Sequence, residues 1–138
     1  MFCTNAVWKK PAVSGKVIDS DAVYESLIRP AIIDAELEPL RADEEMTGIY
    51  QRTHFMRVCH CRPHNTANAN VFYELGIQHA IRSTATILLF AMDTGPLPFD
   101  VASPRNISYE IDADGKPGNI AATTTVLSKR LCAARRGI

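Results

Sequence analysis

Thr84-Ala85-Thr86-Ile87-Leu88-Leu89-Phe90-Ala91 is the stretch that most constrains the fold. An unbroken apolar run of this length, rich in branched side chains, suits a strand covered on both faces, where alternation with polar residues is not needed. Such a strand belongs inside a sheet with a neighbour on each side. The residues before it, from Asn70 to Arg82, have helical character, and a helix that feeds a doubly covered strand implies a parallel α/β layer. The expected fold class is therefore α/β, a Rossmann-like three-layer sandwich with a mostly parallel sheet.

The helix before that strand carries the residue most in need of explanation. In Asn68-Ala69-Asn70-Val71-Phe72-Tyr73-Glu74-Leu75-Gly76-Ile77-Gln78-His79-Ala80, with Asn68 or Asn70 as N-cap, a period of about 100° puts Asn70, Glu74 and Gln78 on one polar face. Phe72, Leu75 and His79 fall on a second side and Tyr73, Gly76 and Ala80 on a third. The helix is thus expected to be largely buried, with Gly76 admitting a close backbone neighbour. An ionised carboxylate out of water costs several kcal/mol, roughly, unless it is paired. Glu74 has either a task or a partner: a nucleophile or general base kept ionised by the helix N-terminus, or a buried group hydrogen-bonded to Asn70, Gln78 or a loop amide.

Upstream, Asp19 to Leu37 reads as a helix, with Val23, Leu27, Ala31 and Ile32 recurring at helical steps, Asp19 or Ser20 as cap, and a kink at Pro30. Glu38 to Asp43 reads as a short strand that places Arg41 and Asp43 at a sheet end, before the acidic run Asp43-Glu44-Glu45. Downstream, Gly95-Pro96-Leu97-Pro98 is a turn and Ile107-Ser108-Tyr109-Glu110-Ile111 alternates like an edge strand. Asp112-Ala113-Asp114-Gly115 then turns into a helix from about Asn119 to Arg135. Two stretches resist this plan. Phe2-Cys3-Thr4-Asn5-Ala6-Val7-Trp8 is a weak strand with polar residues in its middle, and Cys59-His60-Cys61-Arg62-Pro63-His64-Asn65 is not strand-like.

Composition narrows the partners. The chain has 138 residues, 46% of them hydrophobic, enough for one domain over 1–138 with its own core. Fifteen Lys and Arg balance fifteen Asp and Glu, so nucleic acid is not the expected partner, despite the basic cluster Lys129, Arg130, Arg135 and Arg136. No apolar run reaches the ~20 residues of a membrane span, and no signal-peptide core stands at the N-terminus, so a cytoplasmic protein without membrane attachment is expected. Four cysteines, with Cys59 and Cys61 one residue apart, do not make a disulfide framework. Cys59, Cys61, His64 and His54 match no usual zinc spacing, so no metal is expected. Neither Gly-x-Gly-x-x-Gly nor Gly-x-x-x-x-Gly-Lys is present, and no cofactor is expected.

Thr66-Ala67-Asn68-Ala69-Asn70-Val71-Phe72-Tyr73-Glu74-Leu75-Gly76, His79-Ala80 and Ile87-Leu88-Leu89-Phe90 together resemble the nucleoside 2-deoxyribosyltransferase-like and TIR-like Rossmannoid superfamily. More narrowly, they resemble bacterial domains related to the N-terminal region of apoptosis signal-regulating kinases, the TRAFs-binding group. Val17-Ile18-Asp19, Asp21-Ala22-Val23-Tyr24 and Leu40-Arg41-Ala42-Asp43-Glu44-Glu45 extend the likeness over most of the chain up to about Val101. The resemblance implies an enzyme acting on the N-glycosidic bond of a nucleoside or nucleotide. Glu74 would attack or stabilise the sugar, and Asn68, Asn70, Asp43 and Asp93 would bind substrate. Each polar candidate also has a plainer reading: a cap for Asn68 or Asn70, the first residue of a turn for Asp93. The alternative is a non-catalytic module that senses a nucleotide or binds a protein partner or a second copy. A third is an inactive product of a damaged gene, and the likeness is also compatible with an N-terminal piece of a longer protein. Tyr24 and Glu25 look like surface residues and carry no assigned role.

The two misfit stretches are where the chain departs from the family, whose members read there like Phe-Val-Leu-Met-Pro-Phe-Gly and Val-Ile-Ala-Asp-Leu-Thr. Met56 to Asn65 can be encoded as ATG CGA GTA TGT CAT TGC CGA CCT CAC AAC. Moved forward by one nucleotide, that string reads Cys-Glu-Tyr-Val-Ile-Ala-Asp-Leu-Thr. The same shift of TTT TGT ACT AAT GCC GTT TGG A, one encoding of Phe2 to Trp8, reads Phe-Val-Leu-Met-Pro-Phe-Gly. Local frameshifts at 1–10 and 56–65 would account for both misfits, and the chain as written lacks the aspartate that would end the central strand.

Overall fold

The computed structural model describes residues 2–6, 18–41, 56–61, 76, 77, 80, 86–92 and 106–136. The strands are β1 (Phe2–Ala6), β2 (Glu38–Arg41), β3 (Met56–Cys61), β4 (Thr86–Ala91) and β5 (Ile107–Tyr109). They form one five-stranded sheet in the order β2-β1-β3-β4-β5. All four pairings are parallel. Chain direction and strand order together make the sheet grow one way from β1 to β2 and the other way from β3 through β5.

β4 sits between β3 and β5, as its apolar run requires. Its alternate residues Ile87, Leu89 and Ala91 join Val58, Ile107 and Tyr109 in one core cluster with the helices. The register explains the grouping, because Val58 lies beside Ile87, Leu89 beside Ile107, and Ala91 beside Tyr109. Side chains alternate between faces along a strand, so Thr86 and Leu88 belong to the opposite face. They too are withdrawn from water, at 3% and 1% exposure, so β4 is buried on both faces.

The first helix begins with Asp19, whose Oδ1 accepts the Ala22 N–H at 3.0 Å as an N-cap. Ser20–Val23 is α-helical, Tyr24–Ile28 is π-helical and Arg29–Asp34 is α-helical again. Pro30 gives the physical reason for the expected kink. Its ring would collide with the Ser26 carbonyl one turn back, and it has no N–H to donate there. Widening the preceding turn, with the Arg29 N–H donating to the Tyr24 carbonyl, relieves that conflict. The helix stops earlier than the expected Leu37. Glu36 takes a left-handed φ of 57°, the Glu36 N–H donates to the Ile33 carbonyl and the Leu37 N–H to the Ile32 carbonyl. This is a Schellman stop, closed by the buried pair Leu37 and Ile32. Asp19→Ala should cost about 1 kcal/mol through the lost cap, read as a lower denaturant midpoint at unchanged m-value.

The C-terminal helix, Ile120–Arg136, packs against the first helix and β5. Leu127 and Leu131 are fully buried between them. Between β5 and this helix, Asp112 Oδ1 accepts the N–H groups of Asp114 and Lys116, Gly115 takes a φ of 78°, and Ile111 bridges Pro117. The edge strand therefore ends at Tyr109 rather than Ile111.

Three expectations are corrected. The stretch entering Cys59-His60-Cys61 is a strand after all, and it takes an interior place in the sheet beside β1, the weak strand expected from Phe2. Backbone pairing on two sides outweighs their poor composition. Gly76, Ile77 and Ala80 are helical as expected, but Gly76 and Ala80 are exposed, and among the described residues no heavy atom comes within 4 Å of a Cβ built on Gly76. The expected burial and close backbone neighbour at Gly76 are thus not found among the described residues. Tyr24, read as a surface residue, is 4% exposed.

Candidate functional site

In a parallel sheet every strand ends on the same edge, and in open α/β sheets that carboxyl edge is where ligands bind. Ala6, Arg41, Cys61, Ala91 and Tyr109 end the five strands here. The first helix runs away from this edge and β2 runs back toward it, so the end of β2 returns to the start of the helix. Arg41 is the residue delivered there, in register with Asn5 of β1.

Arg41 meets two groups of the first helix. Its Nη2 donates to Asp21 Oδ1 at 3.0 Å, and its guanidinium carbon lies 4.9 Å from the centre of the Tyr24 ring. The Arg41 side chain is 13% exposed and that of Asp21 50%. Asp21 and Tyr24 are three residues apart, hence neighbours on one helical face, and Tyr24 opens the π-helical stretch. The ring face attracts the cation and the carboxylate orients it, so the guanidinium is held from two directions in a partly dry site. By contrast, Arg29 and Glu25 form an exposed pair along the helix at 3.1 Å, of the kind that adds little.

Arg41 thus stands at a sheet end, as its sequence position implied. Glu74, Asn68, Asn70, Asp43 and Asp93 lie outside the described residues, as does His64. Sequence reading missed the Asp21–Tyr24–Arg41 cluster. The usable signal was the i, i+3 spacing of Asp21 and Tyr24 combined with a βαβ connection ending in arginine. Among the described residues, no helix is long and apolar enough to cross a membrane, and no three metal-ligating side chains gather.

No family model matches the chain, and neither a curated protein nor a solved structure matches it.

Proposed function

We propose that the chain is a doubly wound, three-layer α/β domain that binds a nucleoside or nucleotide at the carboxyl edge of its sheet and breaks the N-glycosidic bond. The observation that carries this reading is the strand order. An all-parallel 2-1-3-4-5 sheet reverses its winding between β1 and β3, and it is outside the carboxyl ends of the strands at such a reversal that open α/β sheets bind their ligands. Burial of Thr86 and Leu88 on the face opposite the two described helices supports a further layer on that side. The likeness of Asn68 to Gly76 to the nucleoside 2-deoxyribosyltransferase-like superfamily supports the chemistry.

In that chemistry the Glu74 carboxylate attacks the anomeric carbon. The carbon–nitrogen bond breaks, and the base leaves with the bonding pair and takes up a proton. The glycosyl ester on Glu74 is then opened by water, giving hydrolysis, or by a second base, giving transfer. In this reading Asn68 and Asn70 bind sugar hydroxyls, while Asp43 and Asp93 supply the acidic groups that assist the base.

The as-written sequence favours a second reading at one point. β3, the middle strand, contains no carboxylate, whereas the one-nucleotide shift supplies an aspartate at its end. With the written frame the domain is a nucleotide-sensing or protein-binding signalling module, or an inactivated enzyme. The test is release of free base from a panel of nucleosides and their 5′-monophosphates, by the chain as written and by a version with both frames restored. Base release by the restored chain is the expected result; silence from both favours the signalling module. Sequencing the source DNA is expected to show an extra or missing nucleotide at each stretch, and one uninterrupted frame with incompatible codons would remove the frameshift reading.

A further inference from the structure

We propose that the outer side of the helix layer is an interface with a second copy of this chain, in which the acidic first helix of each copy lies on the basic C-terminal helix of the other. The two helices pack side by side and divide their charge by sign. Ile120–Arg136 carries Lys129, Arg130, Arg135 and Arg136 and no carboxylate. Ser20–Asp34 carries Asp21, Glu25 and Asp34 against Arg29 alone, and Glu36 follows at its stop. Glu25, Asp34, Glu36, Lys129, Arg130 and Arg136 are all exposed. Each helix also keeps one large apolar side chain in water, Ile33 at 54% and Val126 at 46% exposure. Alone such residues are ordinary; among charges of opposite sign on neighbouring helices they make a surface that complements itself.

Charge decides both the occupant and the geometry. An anionic membrane or a nucleic acid drawn to the C-terminal helix would meet the carboxylates of the first helix beside it, whereas a second copy offers each helix its opposite. Both helices follow strands of one parallel sheet and so run in the same direction, and the contacts of Arg135 with Ala35 and Glu36 set their last turns level. Packing two copies about a two-fold axis that crosses the helices would put first helix on first helix and cations on cations. An axis running along the helices, between them, exchanges the two, so acidic lies on basic at both contacts and the levels are kept. Ile33 then comes opposite Ala133 of the second copy, an exposed alanine three or four residues from Lys129, Arg130 and Arg136. Asp34 and Glu36 come to the level of the same cations, at interface separations shorter than the Debye length of about 8 Å at physiological salt.

Sedimentation equilibrium of the full chain from about 1 μM to 1 mM, the span of transient association, reads this interface. The parent should move from one chain toward two and no further, and raising sodium chloride from about 0.05 to 0.5 M should weaken the dimer about tenfold or more. Asp34→Lys and Lys129→Glu should each weaken self-association about tenfold or more, because each sets like charges against one another at both symmetry-related contacts. An equal mixture of the two variants should associate at least about tenfold more tightly than either alone, and the chain carrying both substitutions should return to within about threefold of the parent. Ile33→Ser should weaken the dimer about threefold or more by removing an apolar contact. All three positions are exposed, far-UV circular dichroism checks each fold, and the mixture and the double variant regain an association that unfolded chains could not. A single-chain mass over the whole range overturns the interface; if vesicles of phosphatidylcholine and phosphatidylserine then retain the chain and Lys129→Glu releases it, the face serves an anionic surface instead. A dimer that neither charge reversal weakens uses another surface, and a mass growing beyond two chains replaces the closed two-fold contact by an open head-to-tail one. Either result overturns the assignment, as does a mixture no tighter than its components.

Discussion

Glu74→Gln in the frame-restored chain is expected to abolish release of free base while leaving the melting temperature close to that of its parent. The amide is nearly isosteric with the carboxylate, so packing around it is kept, but it cannot form the glycosyl ester through which the reaction passes. Loss of a covalent nucleophile removes a whole pathway, so the rate should fall by several orders of magnitude. The structural alternative predicts the opposite pattern. If Glu74 only accepts hydrogen bonds, replacing it removes a charge-assisted bond at a cost of about 1.5 to 3 kcal/mol, with a visibly lower melting temperature. One melting curve and one base-release assay separate the two. A variant as active as its parent removes Glu74 from the mechanism.

Leu88→Asp is expected to unfold the domain. Leu88 is 1% exposed on a strand with neighbours on both sides, on the face opposite Ile87 and Leu89. Removing the leucine forfeits about 1.5 to 3 kcal/mol of burial, and an unpaired carboxylate in its place adds several kcal/mol more. A typical domain is stable by only about 5 to 15 kcal/mol, so the sum consumes the whole stability of a domain in the lower part of that range. Ser108→Asp on β5 is the control, since that side chain is exposed and a surface change falls within about 0.5 kcal/mol. A cooperative melt of Leu88→Asp near the parent temperature would contradict the placement of β4.

The contrast between β4 and its neighbour β3 shows how far the sequence was legible. Ile87 to Ala91 announces a doubly covered strand because every side chain there tolerates an apolar surrounding. Met56–Cys61 announces nothing, since Arg57 and His60 interrupt any apolar pattern, and its strand state rests on pairing with β1 and β4. β1 reads only as a weak strand, and it too is paired on both sides, by β2 and β3. Asp19 as cap, the edge strand at Ile107 and the C-terminal helix were all readable from local signals. The π-helical turn was half readable: Pro30 declares a conflict without saying whether the chain bends, breaks or widens. The Arg41 cluster was hidden for a different reason. It joins residues 20 apart in sequence, and only the return of β2 to the start of the first helix brings them together. Arg41 stands at the carboxyl edge of the sheet, and the residues named for the chemistry itself lie outside the described part.

The two ends of the core meet at one arginine. Arg135 Nη1 donates to the Ala35 carbonyl at 3.0 Å and to Glu36 Oε2 at 3.1 Å, so the last turn of the C-terminal helix fastens the stop of the first, 100 residues upstream. A ribosome adding about 5 to 20 residues per second needs roughly 5 to 20 seconds to cover that interval. Through most of it, the buried flank of the first helix, with Leu27, Ile28 and Ile32, has been made but its Leu127 and Leu131 partners have not. The nascent chain therefore displays the apolar flank of that helix for seconds before the residues that cover it from the C-terminal side exist.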